Sequence, residues 1–284
     1  MESTEHPLGE EHLSGCLRLS GAAHWNQNAA DWRLMLAIGS GWGITLADGS
    51  LAASTVVLPY GGKFAWVSMV LVLPEHRRKG YATQLLRVAL AELGKRGQIP
   101  ILDATPAGHE VYAQEGFRDT WGFRRFALKE IGGLNGKKIQ ARPITVPDWP
   151  RILQLDAIAF GASREGLLRN LAARLPGTAL VAEQGGELAG FVLGREGREA
   201  NQVGPLVARD GKTAAALLEA AVRRTRSPVY VDIADRASGL QSWVQARGFE
   251  FQRPFVRMVH GMTGTARAPG DESLVYCPAG PELG

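Results

Sequence analysis

The sequence predicts an α/β fold of the mixed, α+β kind, organised as two tandem units of one architecture. Three observations carry that expectation. Strand and helix signals alternate along the 284 residues, a length suited to two domains at roughly 100–200 residues each. After residue 140 the order restarts: hairpin, strand, helix, strand, helix, Gly-Phe. The spacing also repeats. Leu85-Leu86 precedes Gly116-Phe117 by 31 residues, Leu217-Leu218 precedes Gly248-Phe249 by the same 31, and an offset of 132 relates the two pairs.

The elements follow in order. Residues 1–11 read as a flexible tail, and Leu13 to Leu19 alternates enough to read as a first strand. Trp25-Asn26-Gln27-Asn28 is a loop, and Asp31 to Ile38 is helical. Gly41 to Ala47 and Ser50 to Leu58 flank Asp48-Gly49, a two-residue hairpin turn. After the turn Tyr60 to Lys63, the long apolar run Phe64 to Leu73 reads as a buried central strand. Leu85, Leu86, Ala89, Leu90 and Leu93 fall at helical spacing, so Ala82 to Leu93 is a helix, ended by Gly94 and Gly97. Ile99 to Leu102 is a strand, His109 to Glu115 a short helix stopped by Gly116, and Phe123 to Leu128 a closing strand. A glycine-rich linker at 131–139 then separates a unit at 12–130 from one at 140–262. In the second unit Val146 to Phe160 is helical, and Leu180 to Glu183 and Glu187 to Leu193 form a hairpin. Gln202 to Ala208 and Val229 to Ile233 are strands, with helices at Lys212 to Arg224 and Leu240 to Ala246, and Phe255 to Val259 closes the unit. Residues 263–284, rich in Pro and Gly, read as a C-terminal tail.

Composition narrows the function classes. At 45% hydrophobic and 21% charged residues the chain is ordinary globular protein, not a disordered one. No apolar run reaches about 18 residues, so no membrane span is expected. The N-terminal stretch is acidic and polar, without a basic or apolar signal segment, so a cytoplasmic location is expected. Two distant cysteines, Cys16 and Cys277, cannot build a disulfide framework or a cysteine-rich zinc site, so two reduced thiols and no metal are expected. The net charge of +4 suits a polyanionic ligand or simple solubility. Nucleic-acid binding would need more than this scattered charge, since its one dense cluster is His76-Arg77-Arg78-Lys79.

That cluster lies at a strand-to-helix junction, Val72-Leu73-Pro74-Glu75-His76-Arg77-Arg78-Lys79-Gly80-Tyr81-Ala82-Thr83. Pro74 cannot donate to a sheet ladder, so the strand stops there. The first turn of the next helix offers unpaired N–H groups and a partial positive charge, which together bind phosphate. Gly80 lets an anion come close to the backbone. The physics suggests a diphosphate cradle, while charge alone leaves a solvated basic turn as the plainer reading.

The full pattern resembles the acetyl-CoA motif of the GNAT N-acetyltransferase superfamily, Q/R-x-x-G-x-G/A, here Arg77-Arg78-Lys79-Gly80-Tyr81-Ala82. The strand before it, the helix after it, and Tyr112-Ala113-Gln114-Glu115-Gly116-Phe117 further on strengthen the resemblance, which covers roughly residues 12–128. It implies two GNAT-like domains, each a mostly antiparallel central sheet flanked by helices. It further implies that the backbone of Val70, Leu71 and Val72 pairs with the pantetheine arm, and that Arg77, Arg78, Lys79, Gly80, Tyr81, Ala82 and Thr83 hold the pyrophosphate. Tyr112 matches the tyrosine that protonates the departing CoA sulfur; a packed aromatic is the alternative. The implied reaction is direct attack by a primary amine of a small molecule or peptide on acetyl-CoA. Where some members carry a glutamate on the central strand, this chain has Trp66. Asp103, His109, Glu110, His24 or a water relay are left as candidate bases, and Asp103 also suits a turn cap. Trp25, Asn26, Gln27 and Trp32 fall in the variable acceptor-side region, as acceptor contacts or core anchors, and Trp66 and Asp103 are further candidate acceptor contacts. At the 132 offset Gly80 becomes Lys212 and Tyr112 becomes Val244, so the second copy resembles the degenerate domain of tandem members. Gly211-Lys212-Thr213 is not a nucleotide P-loop, because Leu206 stands where its first glycine belongs. A CoA-binding sensor or scaffold without turnover is the competing function. Monomer and homodimer both stay open.

Overall fold

The apolar run that opens at Phe64 becomes the strand on which the first copy is assembled. In the computed structural model, which describes residues 3–130, 141–261 and 268–284, the first copy runs β1 (Ser3–Leu8), α1 (Leu13–Ala22), α2 (Ala29–Ile38), β2 (Ser40–Leu46), β3 (Leu51–Tyr60), β4 (Phe64–Val72), α3 (Tyr81–Lys95), β5 (Ile99–Ala104), α4 (Pro106–Gln114) and β6 (Phe117–Leu128). The second copy runs β7 (Ala141–Pro143), α5 (Trp149–Phe160), α6 (Glu165–Arg174), β8 (Leu180–Gln184), β9 (Glu187–Arg195), β10 (Asn201–Ala208), α7 (Gly211–Arg223), β11 (Val229–Ala234), α8 (Ser238–Gln245) and β12 (Glu250–His260), and β13 (Val275–Cys277) follows. The predicted linker at 131–139 lies outside the described residues, as do residues 263–267 of the predicted tail.

Three expectations need correction. Leu13 to Leu19 is not a strand but the body of α1, because Cys16, Leu19 and Ser20 fall on one helical face and are its buried residues. Residues 1–11 are not a free tail: Ser3–Leu8 pairs with β2 from Ser3↔Leu46 to Leu8↔Gly41, covering an edge that would otherwise lie open. The predicted tail is a core element from Val275 onward. Cys277, Ala279 and Leu283 are fully buried, and β13 pairs with β10.

All the strands belong to one 13-stranded sheet, ordered β1-β2-β3-β4-β5-β12-β6-β11-β10-β9-β8-β7, with β13 on β10. The two copies exchange their last strands. β12 of the second copy sits between β5 and β6, and β6 of the first sits between β12 and β11. Stacking of Phe123 on Phe255 at 5.0 Å and a buried bidentate pair, Arg125 to Asp232 at 2.8 and 2.7 Å, fix this exchange. The main core is shared likewise, with Trp32, Phe64 and Trp66 from one copy and Phe160, Leu168 and Phe191 from the other.

β4 and β5 run parallel only over Phe64–Trp66 and Ile99–Ile101, then part. The cause lies in β4. Ser54 pairs with Leu71 but Val56 with Ser68, so β4 carries an extra residue. Met69 absorbs the bulge at φ +51, and Ser54 Oγ donates to its carbonyl at 2.8 Å. Beyond Trp66, β4 has no strand on its β5 side among the described residues, which leaves backbone donors and acceptors along a cleft.

Candidate active site

The cleft continues into the basic turn. Arg78 takes φ +61 and Gly80 takes φ +83, so two left-handed residues bracket Lys79 and bend the backbone toward α3. Gly80 is the N-cap of α3 and no side chain caps it, which leaves the N–H groups of the first turn, at Tyr81, Ala82 and Thr83, unclaimed by any cap. Arg77, Arg78, Lys79 and Gly80 are exposed. Leu85, Leu86, Ala89 and Leu93 bury the opposite face of the helix and hold its N-terminus at the cleft. A groove of about 540 Å³ follows, with Val70, Leu71, Val72, Arg77 and Ala82 on one side and Pro106, Gly108, Val111 and Tyr112 on the other. The Tyr81 ring instead packs near Ile44, Ala53 and Leu85, so only its backbone bears on the cradle.

Tyr112 stands where this groove meets a second, inner cavity, and lines both. Its ring rests edge-on against Phe117 at 6.0 Å, one helical turn after Gly108, whose missing side chain makes room for it. Burial pushes the phenol up to about 12, so it remains a proton donor at neutral pH.

The inner cavity collects some predicted acceptor residues and rejects others. Trp25, Asn26, Gln27 and Asp103 line it. The Asn26 amide is already engaged, donating to the carbonyl of Ala200 at 2.9 Å and accepting from the N–H groups of Glu199 and Ala200 at 2.9 and 3.0 Å. It is a clamp between the copies. Trp32 is a core anchor instead, fully buried with Nε1 donating to Ser20 Oγ at 2.7 Å. Trp66 is likewise removed from the cavity. Phe160 and the Arg257 guanidinium pack on its ring, and the C-terminal segment covers it. Asp103 does not cap a turn: both its oxygens accept from Arg257, at 2.9 and 3.0 Å. Burial raises its pKa, opposed by the Arg257 charge. Of the other candidate bases, His24 and Glu110 are exposed, and His109 bonds Asp119 at 2.8 Å outside the cavity.

A diphosphate cradle, an unpaired strand edge and a half-buried phenol on one cleft are the parts an acyl-CoA transferase needs. Residues 11–117 match the sequence model of the acetyltransferase (GNAT) family, and residues 152–276 match that of an acetyltransferase (GNAT) domain. The chain is a tandem GNAT protein. It is similar to the uncharacterized N-acetyltransferase YitH of Bacillus subtilis (strain 168), at 24% identity over 245 residues, 85% of this chain and 86% of that protein. A solved Pyrococcus horikoshii structure, described as a candidate acetyltransferase, superposes with a TM-score of 0.80 at 20% identity, covering 99% of this chain and 96% of that one. The tandem GNAT protein from the clavulanic acid biosynthesis pathway superposes with a TM-score of 0.62 at 18% identity, covering 93% and 100%. The structural likenesses are of fold. With these relatives, the chain is a GNAT-type N-acetyltransferase, an enzyme of acyl transfer.

In the second GNAT domain the equivalent features are filled from within. The Asp210 side chain caps α7 by accepting from the N–H groups of Lys212 and Thr213, both at 2.9 Å, so a carboxylate already occupies that helix start. β13 pairs with β10 at Leu206↔Cys277, covering an edge that corresponds to the open one on β4. Val244, at the place of Tyr112, is fully buried in the core.

The sequence reading missed part of the inner wall. Arg125 of β6, Arg253 and Phe255 of the exchanged β12, and Pro281 and Glu282 of the C-terminal segment all line the cavity. No local pattern marks them. Each arrives through a contact between distant parts of the chain.

Proposed function

We propose that this GNAT protein transfers the acetyl group of acetyl-CoA to a primary amine of a small molecule or peptide, by direct attack of the amine. The observation that carries the reading is the position of Tyr112, a half-buried tyrosine lining both the groove and the inner cavity. The residues present fit the co-substrate. The uncapped first turn of α3, with Gly80 in the left-handed region and Arg77 beside it, suits a diphosphate, and the free edge of Val70, Leu71 and Val72 suits an amide-bearing arm. Acetyl-CoA would supply an activated carbonyl and a sulfur leaving group. The amine attacks in its neutral form, an ammonium first releasing one proton to water; Tyr112 then gives its proton to that sulfur and regains one from the nitrogen as the amide forms. The walls contributed by β12 and the C-terminal segment exclude bulk water and direct the amine.

An acetyl-CoA turnover screen with free-thiol readout tests this, over amino acids, polyamines, aminoglycosides and peptide N-termini. Thiol release that depends on one amine class, and falls in Tyr112→Phe, is the expected result. One observation favours a second reading, a CoA-binding sensor: Trp66 replaces a carboxylate on β4, and Asp103 is held by Arg257. Thermal stabilisation by CoA with no thioester consumed by any amine would select it.

A further inference from the structure

The inner cavity ends on two polar groups that its own walls leave unsatisfied. Glu282 and Gln27 are each only 2% exposed, and both line the cavity. Glu282 Oε1 accepts from Arg195 Nη2, while among the described residues Oε2 has no partner, and neither does Gln27 Oε1. Burying an acceptor without a donor is costly, above all on a carboxylate, so the arrangement is complementary to a donor that comes from outside.

The ion pairs behind Glu282 sharpen that point. Arg174 bonds Glu196 at 2.9 Å and Asp31 at 2.6 Å, Arg195 bonds Asp31 at 2.7 Å, and Arg195 then bonds Glu282. Three carboxylates thus alternate with two guanidinium groups, and one negative charge is in excess. The Glu196 end is 41% exposed and open to water, whereas the Glu282 side chain is 1% exposed and opens only onto the cavity. Two further guanidinium groups near the cavity are matched, Arg125 by Asp232 and Arg257 by Asp103. Arg253 is not. It lines both the cavity and the groove, makes no salt bridge among the described residues, and is disfavoured as a cation by burial and by Arg125. The space therefore carries one unmatched carboxylate oxygen and one unmatched cation.

We infer that the acceptor is a zwitterion, its ammonium seated on Glu282 and Gln27 and its anionic group on Arg253. An amino acid, or another compact amine bearing an acid group, has this chemistry; a simple alkylamine or polyamine lacks the anion. The free volume of the whole inner cavity is about 30 Å³, room for one ammonium group and not for a bulky base, while Arg253 also faces the larger groove. Glu282 is a specificity residue, delivered to the catalytic copy by the far end of the chain. The inference rests on the amine-acceptor reading above, but its test does not require turnover.

The full-length protein, with CoA present, is titrated calorimetrically with a panel of amino acids, each beside its decarboxylated amine and its deaminated acid. For the amino acids that bind, affinity should exceed that of either partner by about tenfold or more, the worth of one charge-assisted bond. Glu282→Gln should weaken the amino acid and the amine by a similar factor and leave the acid unchanged. Arg253→Met should weaken the amino acid and the acid. If Glu282→Gln does not fold, Gln27→Leu tests the same pole without touching the ion pairs. Equal binding of amine and amino acid, unchanged binding in the variants, or no binding by any of the panel overturns the inference. The expected binding pattern without thioester turnover would sink the transferase reading instead and leave this one standing. Turnover that favours amines without an acid group would do the reverse.

Discussion

Trp66 Nε1 donates to the carbonyl of Pro281 at 3.0 Å, joining residues 215 apart in the chain. The indole stands on the central strand where some members of the family carry a glutamate. It anchors the segment that brings Glu282 to the cavity, so the missing acid and the unexpected one are linked by a single hydrogen bond.

Removing residues 275–284 should therefore unmake more than a terminus. The deletion strips the cover from Trp66, frees the edge of β10 and takes fully buried Cys277, Ala279 and Leu283 from the core. Each fully buried large apolar side chain is worth about 1.5–3 kcal/mol, so a fall in Tm of about 10 °C or more is expected, with a red shift in tryptophan emission. An unchanged melting curve would contradict the segment's structural role.

Tyr112→Phe should lower kcat by about two orders of magnitude, the ordinary worth of a positioned proton donor, with little change in KM for acetyl-CoA. Because burial pushes the phenol up to about 12, its acid form persists through the whole working range. The wild-type kcat profile should then show no loss from this group until well above pH 10. A tyrosine-dependent decline near neutrality would refute the assignment.

Gly80→Ala separates conformation from contact. A Cβ there meets nothing within 4 Å, but φ is +83. Left-handed backbone costs an alanine about 1–2 kcal/mol, which Asn tolerates better. KM for acetyl-CoA should rise about tenfold in the alanine variant and recover in part in Gly80→Asn. Equal values in all three proteins would remove the turn from the cofactor site.

Stability should fall in alkali. Burial raises Cys16, Cys277, Tyr60 and Tyr112, with Cys16 and Tyr112 near 12. Unfolded thiols ionise near about 8.5 and phenols near about 10. The folded chain keeps protons that the unfolded chain releases, so the stability these groups lend is complete below about pH 8.5 and is lost as pH climbs through their folded values. Urea midpoints measured from about pH 8 to about pH 11 should decline, and less steeply in the Cys16→Ala, Cys277→Ala double variant. A flat series would contradict the burial of these thiols.

What could be read in the sequence was local. The Pro74-to-Ala82 turn, the Asp48-Gly49 hairpin and the leucines of α3 declare themselves within a few residues, because dihedral preference and periodicity act at that range. Leu13 to Leu19 was misread because a short run of leucines among small residues fits either period. Trp32 and Trp66 could not be sorted from Trp25, since composition does not reveal which face of a core a side chain meets. Arg253 and Glu282 were hidden for a different reason. They reach the cavity through strand exchange and a returning C-terminus, which only tertiary packing decides.

The exchange also bears on how the protein is made. Between Leu128, where β6 ends, and Glu250, where β12 begins, lie roughly 120 residues. At about 5–20 residues per second, the ribosome takes several seconds to supply the strand that fills the gap beside β5. Until then the nascent N-terminal half carries three unpaired strand edges, one on β5 and both on β6, a template for pairing with other chains. A nascent-chain chaperone would guard that interval and fast translation of the second half would shorten it, so codon choice between 131 and 250 becomes a lever on yield.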